Sequence, residues 1–269
     1  MERGVKFEKI TFGKQLRSML KVDLRRMRKS RLLYILLACA LLMPIAMTVM
    51  MTMMDGSVSV DPQTGAETIM RGPENTWQNI GTLPGGEAMG GMDIFNMCNI
   101  NMLFMIAAVF ICLFVCQDFR SGYAKNLFTV RARKGDYVIC KIFVGFLGGA
   151  SMLLCYFVGT VLGGAMAGLS FDLHGLNIFN LVMCMLSKIL LMPVFVSIFV
   201  CISVAAKQKA WLALCGSLGG GMLLFMMVPM ITPLNSTLMQ PLLCFAGSAM
   251  FAFGLGALSK QILKKSDLI

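Results

Sequence analysis

The chain has 269 residues, 57% hydrophobic and only 14% charged, with a mean hydropathy of +0.77 and a formal net charge of +11. A soluble domain carries roughly a quarter charged residues to wet its surface; a chain this poor in charge cannot cover a soluble globule, and a bilayer removes the need. The positive charge does not point to nucleic acid, because the bases stand between long apolar runs and not on an amphipathic soluble surface.

Residues 1–31 hold eleven Lys or Arg against three acids. Phe12, Leu16, Met19, Leu20, Leu24 and Met27 recur at helical spacing within an arc of roughly 140° at about 100° per residue, with Lys14, Arg17, Lys21, Arg25, Arg28 and Lys29 opposite. This predicts an amphipathic helix over 11–31, lying at the headgroups with its basic face toward anionic lipid. Asp23 falls inside the apolar stripe, and two readings stay open for it: pairing with Arg26, or contact with a protein partner.

The charge-free run 32–54 is long enough to span a hydrocarbon core of about 30 Å at about 1.5 Å per residue. Its Leu36-Leu37-Ala38-Cys39 loosely resembles a lipoprotein cleavage box, but the basic lead-in is too long for a signal peptide and the run continues past the cysteine. Residues 55–97 are rich in Gly, Pro and Asn, with six acids against Arg71 alone, and are read as a large extracytoplasmic loop. A second span over 98–116 is entered through Asn96, Asn99 and Asn101. Asn99 and Asn101 are candidate substrate or interface contacts, with interfacial hydration as the plainer reading.

Residues 117–141 form a basic loop, and a glycine-rich third span follows over 142–167. The apolar stretch 178–206 is interrupted by Lys188. Counting back from Lys207 puts Lys188 at the far interface, where a lysine can snorkel, and leaves 178–187 along the outer leaflet. Lys188 is also a candidate intramembrane contact for substrate or ion. A fifth span over 211–231 and a sixth over 239–258 precede the basic tail 260–269. The predicted fold class is therefore all-α: a polytopic membrane protein of six transmembrane helices behind an N-terminal interfacial helix. Twenty-two of the twenty-four bases lie in 1–31, 117–141, 207–209 and 260–269, so the positive-inside rule predicts cytoplasmic N- and C-termini.

Little here supports chemistry. There is one histidine, His174, and no HExxH, so an intramembrane metalloprotease lacks ligands. No CxxC occurs, and eight of the ten cysteines (Cys39, Cys112, Cys116, Cys155, Cys184, Cys201, Cys215 and Cys244) sit in apolar runs as small hydrophobes. No Walker A sequence is present, and apart from Lys188 the spans hold no ionisable residue of the kind ion-coupled carriers keep in the membrane. No catalytic, cofactor-binding or metal-binding residue is expected. The GxxxG spacings Gly145/Gly149, Gly159/Gly163, Gly164/Gly168 and Gly216/Gly220 predict close helix packing within the chain, with a dimer seam or moving interface as the alternative. The run Gly219-Gly220-Gly221 with Pro229 is expected to loosen the fifth helix, and the twenty-six methionines suit a pliable lining or plain packing.

The loop 117–141 is too long for a simple turn. Residues 123–130 suit two short helical turns between Gly122 and the basic cluster Arg131, Arg133 and Lys134, a structure on which a cytosolic partner can push. The bland reading is a solvated loop bound to headgroups. Asp118, Gly122, Lys125-Asn126-Leu127, Arg131 with Arg133-Lys134, Tyr137 and Lys141 together resemble the loop of ABC-2-type transporter permeases. The basic lead-in is similar to that family's elbow helix, and the ending Lys264-Lys265-Ser266-Asp267-Leu268-Ile269 resembles its usual C-terminus. The long first external loop and the charged entry to span four depart from the pattern.

That resemblance implies a single ABC-2-type transmembrane domain over 1–269, comprising the elbow helix at 11–31, the external loop at 55–97 and the cytoplasmic coupling loop at 117–141. It implies a bacterial inner-membrane exporter permease, of the small bacteriocin or drug type, that works with two cytosolic ATP-binding cassette subunits. A second permease chain, identical or related, is implied as well. ATP and Mg would reside on the ATPase, which would grip Asp118, Gly122, Tyr123, Lys125, Asn126, Leu127, Arg131 and Arg133. The charge-poor spans favour an amphipathic peptide or drug as substrate. The competing expectation is a membrane immunity or sensor module binding an external ligand through 55–97; a membrane enzyme is disfavoured by its missing residues.

Overall fold

The computed structural model describes residues 12–60, 67–69, 72–81, 99–129, 133–173 and 175–265. Arg131, His174, Asn96 and the tail 266–269 lie outside the described residues, as does much of the 55–97 loop. The regular structure of the described residues is helical, except for a short antiparallel hairpin in that loop, β1 (Val58–Val60) with β2 (Glu67–Ile69).

The lead-in helix α1 is Phe12–Lys29. It is followed by α2 (Arg31–Met53), α3 (Met102–Arg120), the short α4 (Tyr123–Thr129), α5 (Lys134–Ala167) and α6 (Ile178–Ala206). Then come α7 (Ala210–Phe225), the single turn α8 (Val228–Ile231) and α9 (Met239–Lys265). Five helices, α2, α3, α5, α6 and α9, are long and apolar enough to cross a membrane. The chain is thus a multi-pass helical membrane protein.

The expected fifth span is interrupted. Pro229 lacks an N–H and its ring crowds the carbonyl four residues back, that of Phe225, and α7 ends there. Met226 and Met227 form a turn before α8. The expected loosening thus takes the form of a break at the proline, downstream of the glycines.

At the centre lies α3, with Leu103, Phe104, Ala107, Phe110, Ile111 and Val115 all buried. It is enclosed by α5, α6 and α7, while α2 packs along α5 and α9 along α6. Phe104 and Phe195 meet at 4.7 Å between ring centres across α3 and α6. The outer helices keep apolar residues such as Leu42, Leu223 and Phe253 exposed, as a lipid-facing surface requires.

Lipid tails are as apolar as leucine, so close packing must replace the hydrophobic drive between helices. The glycines supply it within the chain. A Cβ at Gly159 would collide with the Leu41 carbonyl of α2, and one at Gly163 would lie 2.9 Å from the Cα of Ile45. At Gly145 and Gly149 it would meet Val196 and Met192 of α6 at 2.7 Å. Gly216 and Gly220 approach Ile202 less closely, at 3.1 and 3.4 Å.

Two expectations about α6 are corrected. The helix is continuous over its 29 residues, so 178–187 is no separate piece along the outer leaflet. Lys188 does not snorkel: it is fully buried, and its Nζ donates to Asn101 Oδ1 at 2.7 Å and to Thr232 Oγ1 at 2.9 Å. A buried ammonium needs acceptors more than it needs water, and two side-chain oxygens inside the bundle supply them.

At the end of the bundle away from α1, residues 75–80 wedge between helices and do not stand free. Asn75, Thr76, Trp77, Asn79 and Ile80 are buried. Asn79 donates to Thr48 of α2 at 2.8 Å, and the Trp77 indole N–H donates to the Phe171 carbonyl at 3.0 Å.

Candidate functional site

The basic end of the bundle holds three charged side chains out of contact with water and a fourth half-buried against them. Asp23 is 2% exposed, Asp118 fully buried and Lys141 1% exposed; Arg26 is half-buried beside them. They alternate in sign around a closed ring. Arg26 Nη2 lies 2.7 Å from Asp118 Oδ1, and Asp118 Oδ2 lies 2.7 Å from Lys141 Nζ. Lys141 Nζ is 2.8 Å from Asp23 Oδ2, and Asp23 Oδ1 is 3.5 Å from Arg26 Nη1.

Three helices supply the ring. Asp23 and Arg26 are one turn apart on the buried face of α1, Asp118 is in the last turn of α3, and Lys141 is two turns into α5. An acid at a helix C-terminus opposes the macrodipole, so Asp118 depends on the two cations. The cations also rest on aromatic faces: Arg26 over Tyr123 at 4.5 Å and Lys141 over Phe114 at 4.4 Å. Burial pushes the Asp23 carboxyl above its ordinary value, against the pull of Lys141. Burial likewise raises the Tyr123 phenol, aided by the nearby Asp23 and Asp118.

The short α4 is rooted in this ring at two points. Tyr123 stacks under Arg26, and Phe128 meets Tyr137 edge-on at 5.4 Å. The Tyr137 hydroxyl in turn donates to Asp118 Oδ2 at 3.0 Å. Gly122 makes the bend between α3 and α4 with a φ of +72°, a left-handed conformation that favours glycine. Ala124 is buried and Leu127 half-buried, while Lys125 and Asn126 are exposed. α4 thus has an exposed face over an underside tied to α1 through Tyr123 and Arg26 and to α5 through Phe128 and Tyr137.

Of the residues that sequence singled out, Asp118, Gly122, Tyr123, Lys125, Asn126 and Leu127 lie together here. Arg133 is exposed at the start of α5, and Asp118 sits beneath the surface as an anchor. Sequence reasoning assigned no site role to Lys141 or Tyr137, and left Asp23 between two readings. The legible signal was the pair of isolated charges in apolar surroundings, Asp23 and Lys141, whose only favourable fate in a dry interior is each other.

Asn101 and Lys188 form a second, smaller centre with Thr232, tying α3 to α6 and to the segment after α8. Asn99 serves the backbone: its Oδ1 accepts from the Asn101 N–H at 2.9 Å, just ahead of α3. Among the described residues no group of three or more His, Cys, Asp or Glu is placed to hold a metal ion.

The chain is a multi-pass helical membrane bundle with a rooted surface helix at its basic end. The family model described as ABC-2 family transporter protein matches residues 19–223, and the chain belongs to that family of membrane permeases. The matched region runs from Met19 of α1 into α7, and so contains the whole charge ring, α4 and Lys188. No curated protein and no solved structure matches the chain significantly.

Proposed function

We propose that this chain is the permease subunit of an ATP-binding cassette exporter, driven by ATP hydrolysis on separate cytosolic subunits. It moves an amphipathic peptide or drug-like molecule across the cytoplasmic membrane of a bacterium. In this reading α7 and α8 together make a broken fifth crossing, which brings the total to six, and both termini and the basic end face the cytoplasm. Two permease chains, identical or related, pair with two ATPases, and ATP and Mg stay on the latter.

The observation that carries the reading is the rooting of α4. A solvated loop has no need of a buried charge ring beneath it, whereas a helix that receives force does, because packed interfaces transmit displacement and flexible ones absorb it. The ATPase contacts Arg131 together with the exposed Lys125, Asn126 and Arg133 and the bend at Gly122; Tyr123 holds α4 to α1, and Asp118 holds α3 to α1. The charge-poor outer helices suit a substrate that partitions into the bilayer, and Asn101 with Lys188 offers the polar contact in the bundle. The test is co-purification with a cytosolic ATPase in nanodiscs, with ATP turnover measured against Lys125→Glu and Asn126→Arg. Loss of turnover supports the reading; an ATPase that never associates contradicts it.

A further inference from the structure

A groove of about 900 Å³ runs between α5 and α9 at the basic end, with Pro193 of α6 at its floor. Its chemistry changes along its length. Arg133, Lys134, Lys260 and Lys264 form the rim, while Ile142, Phe143 and Phe146 of α5 face Ala252, Phe253 and Gly256 of α9 below it. From Lys134 to Phe146 is twelve residues, or about 18 Å along the helix. One leaflet of a bilayer has about 15 Å of hydrocarbon, half of about 30 Å. A cationic rim above an apolar trough one leaflet deep is complementary to an anionic phospholipid.

The rim also holds an acid, Asp136, with two of those cations, Arg133 and Lys260, near enough to act on its charge. Asp136 is 3% exposed, and its Oδ2 has no hydrogen-bond partner among the described residues. A buried acceptor left unmade costs free energy. A headgroup that brings hydroxyl donors along with its phosphate fills both needs: bases for the phosphate, Asp136 for a hydroxyl. Lys134 already donates to the Leu263 carbonyl at 2.6 Å, closing the groove where α9 ends. The Lys260 stem lies over Gly135, whose added Cβ would meet it at 3.5 Å.

We infer that the groove between α5 and α9 is a binding site for an anionic phospholipid with a hydroxylated headgroup, of the phosphatidylglycerol type. The acyl chain lies along Phe146 and Gly256, the phosphate sits among Lys260, Lys264 and Arg133, and a headgroup hydroxyl donates to Asp136. With the basic end cytoplasmic, as proposed above, the lipid belongs to the inner leaflet, whose anionic surface attracts clustered bases. Lipid bound here fastens α9, which lies outside the family-matched region, to α5, which carries Lys141.

The test is lipid retention by the purified full chain, measured by native mass spectrometry with added phosphatidylglycerol, phosphatidylmethanol or phosphatidylcholine. The wild type is expected to retain phosphatidylglycerol best, phosphatidylmethanol (anionic but without headgroup hydroxyls) less, and phosphatidylcholine least. The double variant Lys260→Gln/Lys264→Gln weakens phosphatidylglycerol binding at least about tenfold, since each base near a headgroup contributes measurably. A Lys207→Gln/Lys209→Gln control keeps it. Asp136→Asn narrows the gap between phosphatidylglycerol and phosphatidylmethanol. Gly256→Leu has room to fold, because its Cβ would meet only Ile142 at 3.9 Å, and it displaces the acyl chain. Equal retention of all three lipids, or unchanged retention in the lysine and Gly256 variants, overturns the inference. So does a cross-link from Phe253 to a second copy of the chain, which would make the groove a protein interface.

Discussion

Arg26 of the lead-in helix reaches Asp118 at the end of α3 with 2.7 Å between Nη2 and Oδ1, while its plane covers the Tyr123 ring of α4 at 4.5 Å. One guanidinium thus touches both the anchor of α3 and the root of the surface helix. Lysine in its place would keep the charge but lose the planar fork that makes both contacts. Arg26→Lys is expected to leave the fold intact and to lower substrate-stimulated ATP turnover of the assembled complex several-fold. The comparison with basal turnover of the same complex checks it, because weakened coupling separates the two rates where misfolding lowers both.

Removing Asp118 is expected to be the most damaging change in the ring. It would leave Lys141 and Arg26 sharing Asp23 alone, and would strip the Tyr137 hydroxyl of its acceptor. Breaking a buried ionic network by deleting one partner costs on the order of 3–5 kcal/mol. Asp118→Ala should therefore lower the thermal midpoint in detergent markedly. Asp23→Asn should lower it less, since asparagine keeps the shape and a polar atom toward Lys141.

Acid should tighten the attachment of α1. The Asp23 carboxyl titrates above its ordinary value of 3.8 when α1 is docked, so the docked state holds a proton more firmly than the detached one. Docking gains free energy as pH falls through the raised value toward 3.8, and loses it as pH rises back through that value. Hydrogen exchange of α1 amides, corrected for the intrinsic rate, should show more protection at a pH near the ordinary carboxylate value of 3.8 than at neutral pH. Asp23→Asn should flatten the difference.

The Lys188 centre makes a different prediction. Lys188→Met alone strips the buried Asn101 Oδ1 and Thr232 Oγ1 of their donor and should lower thermal stability by on the order of 1–3 kcal/mol, whereas the Lys188→Met/Asn101→Leu pair, which makes both partners apolar, should be closer to neutral. Asn101→Leu, which leaves the ammonium with one fewer acceptor, should lower it by on the order of 1–3 kcal/mol. If Lys188 also contacts substrate, the Lys188→Met/Asn101→Leu pair lowers transport while stability holds, and the two measurements together separate a packing role from a transport role.

Glycine substitutions should sort by what lies opposite. Gly159→Leu drives a side chain into the backbone of α2 and should cost at least about 1–3 kcal/mol or block assembly of the bundle. Gly219→Ala meets nothing within 4 Å and should be neutral, or stabilising by about 1 kcal/mol or less, through higher helix propensity. Expression and thermal scans of the two variants check the contrast.

Most of the helix boundaries were legible because apolar runs of twenty residues have few alternatives. The amphipathic stripe gave α1, and the polar interval between Gly122 and Arg133 gave α4 within a residue at its C-terminal end. Lys188 misled because sequence spacing gives its depth but not its azimuth: a lysine one turn from water and a lysine aimed at Asn101 read alike. The ring was half legible. Asp23 in an apolar stripe demanded a cation, and Arg26 was visible one turn away, but Lys141 is 118 residues along the chain from Asp23 and only the fold brings them to 2.8 Å. The wedge at Trp77 left no sequence signal, since a tryptophan in a polar loop serves equally as surface or plug.

Site-specific cross-linking from α4 decides where the motor attaches. A photoreactive side chain at Lys125 or Asn126, the exposed positions of the rooted helix, should capture a cytosolic ATP-binding subunit in native membranes. The same group at the lipid-facing Leu223 should not. Capture from α4 with a yield that changes when ATP hydrolysis is blocked is the predicted result. Capture of lipid alone from both α4 positions, with no ATPase adduct under any nucleotide condition, would contradict the assignment of α4 as the place where the motor attaches.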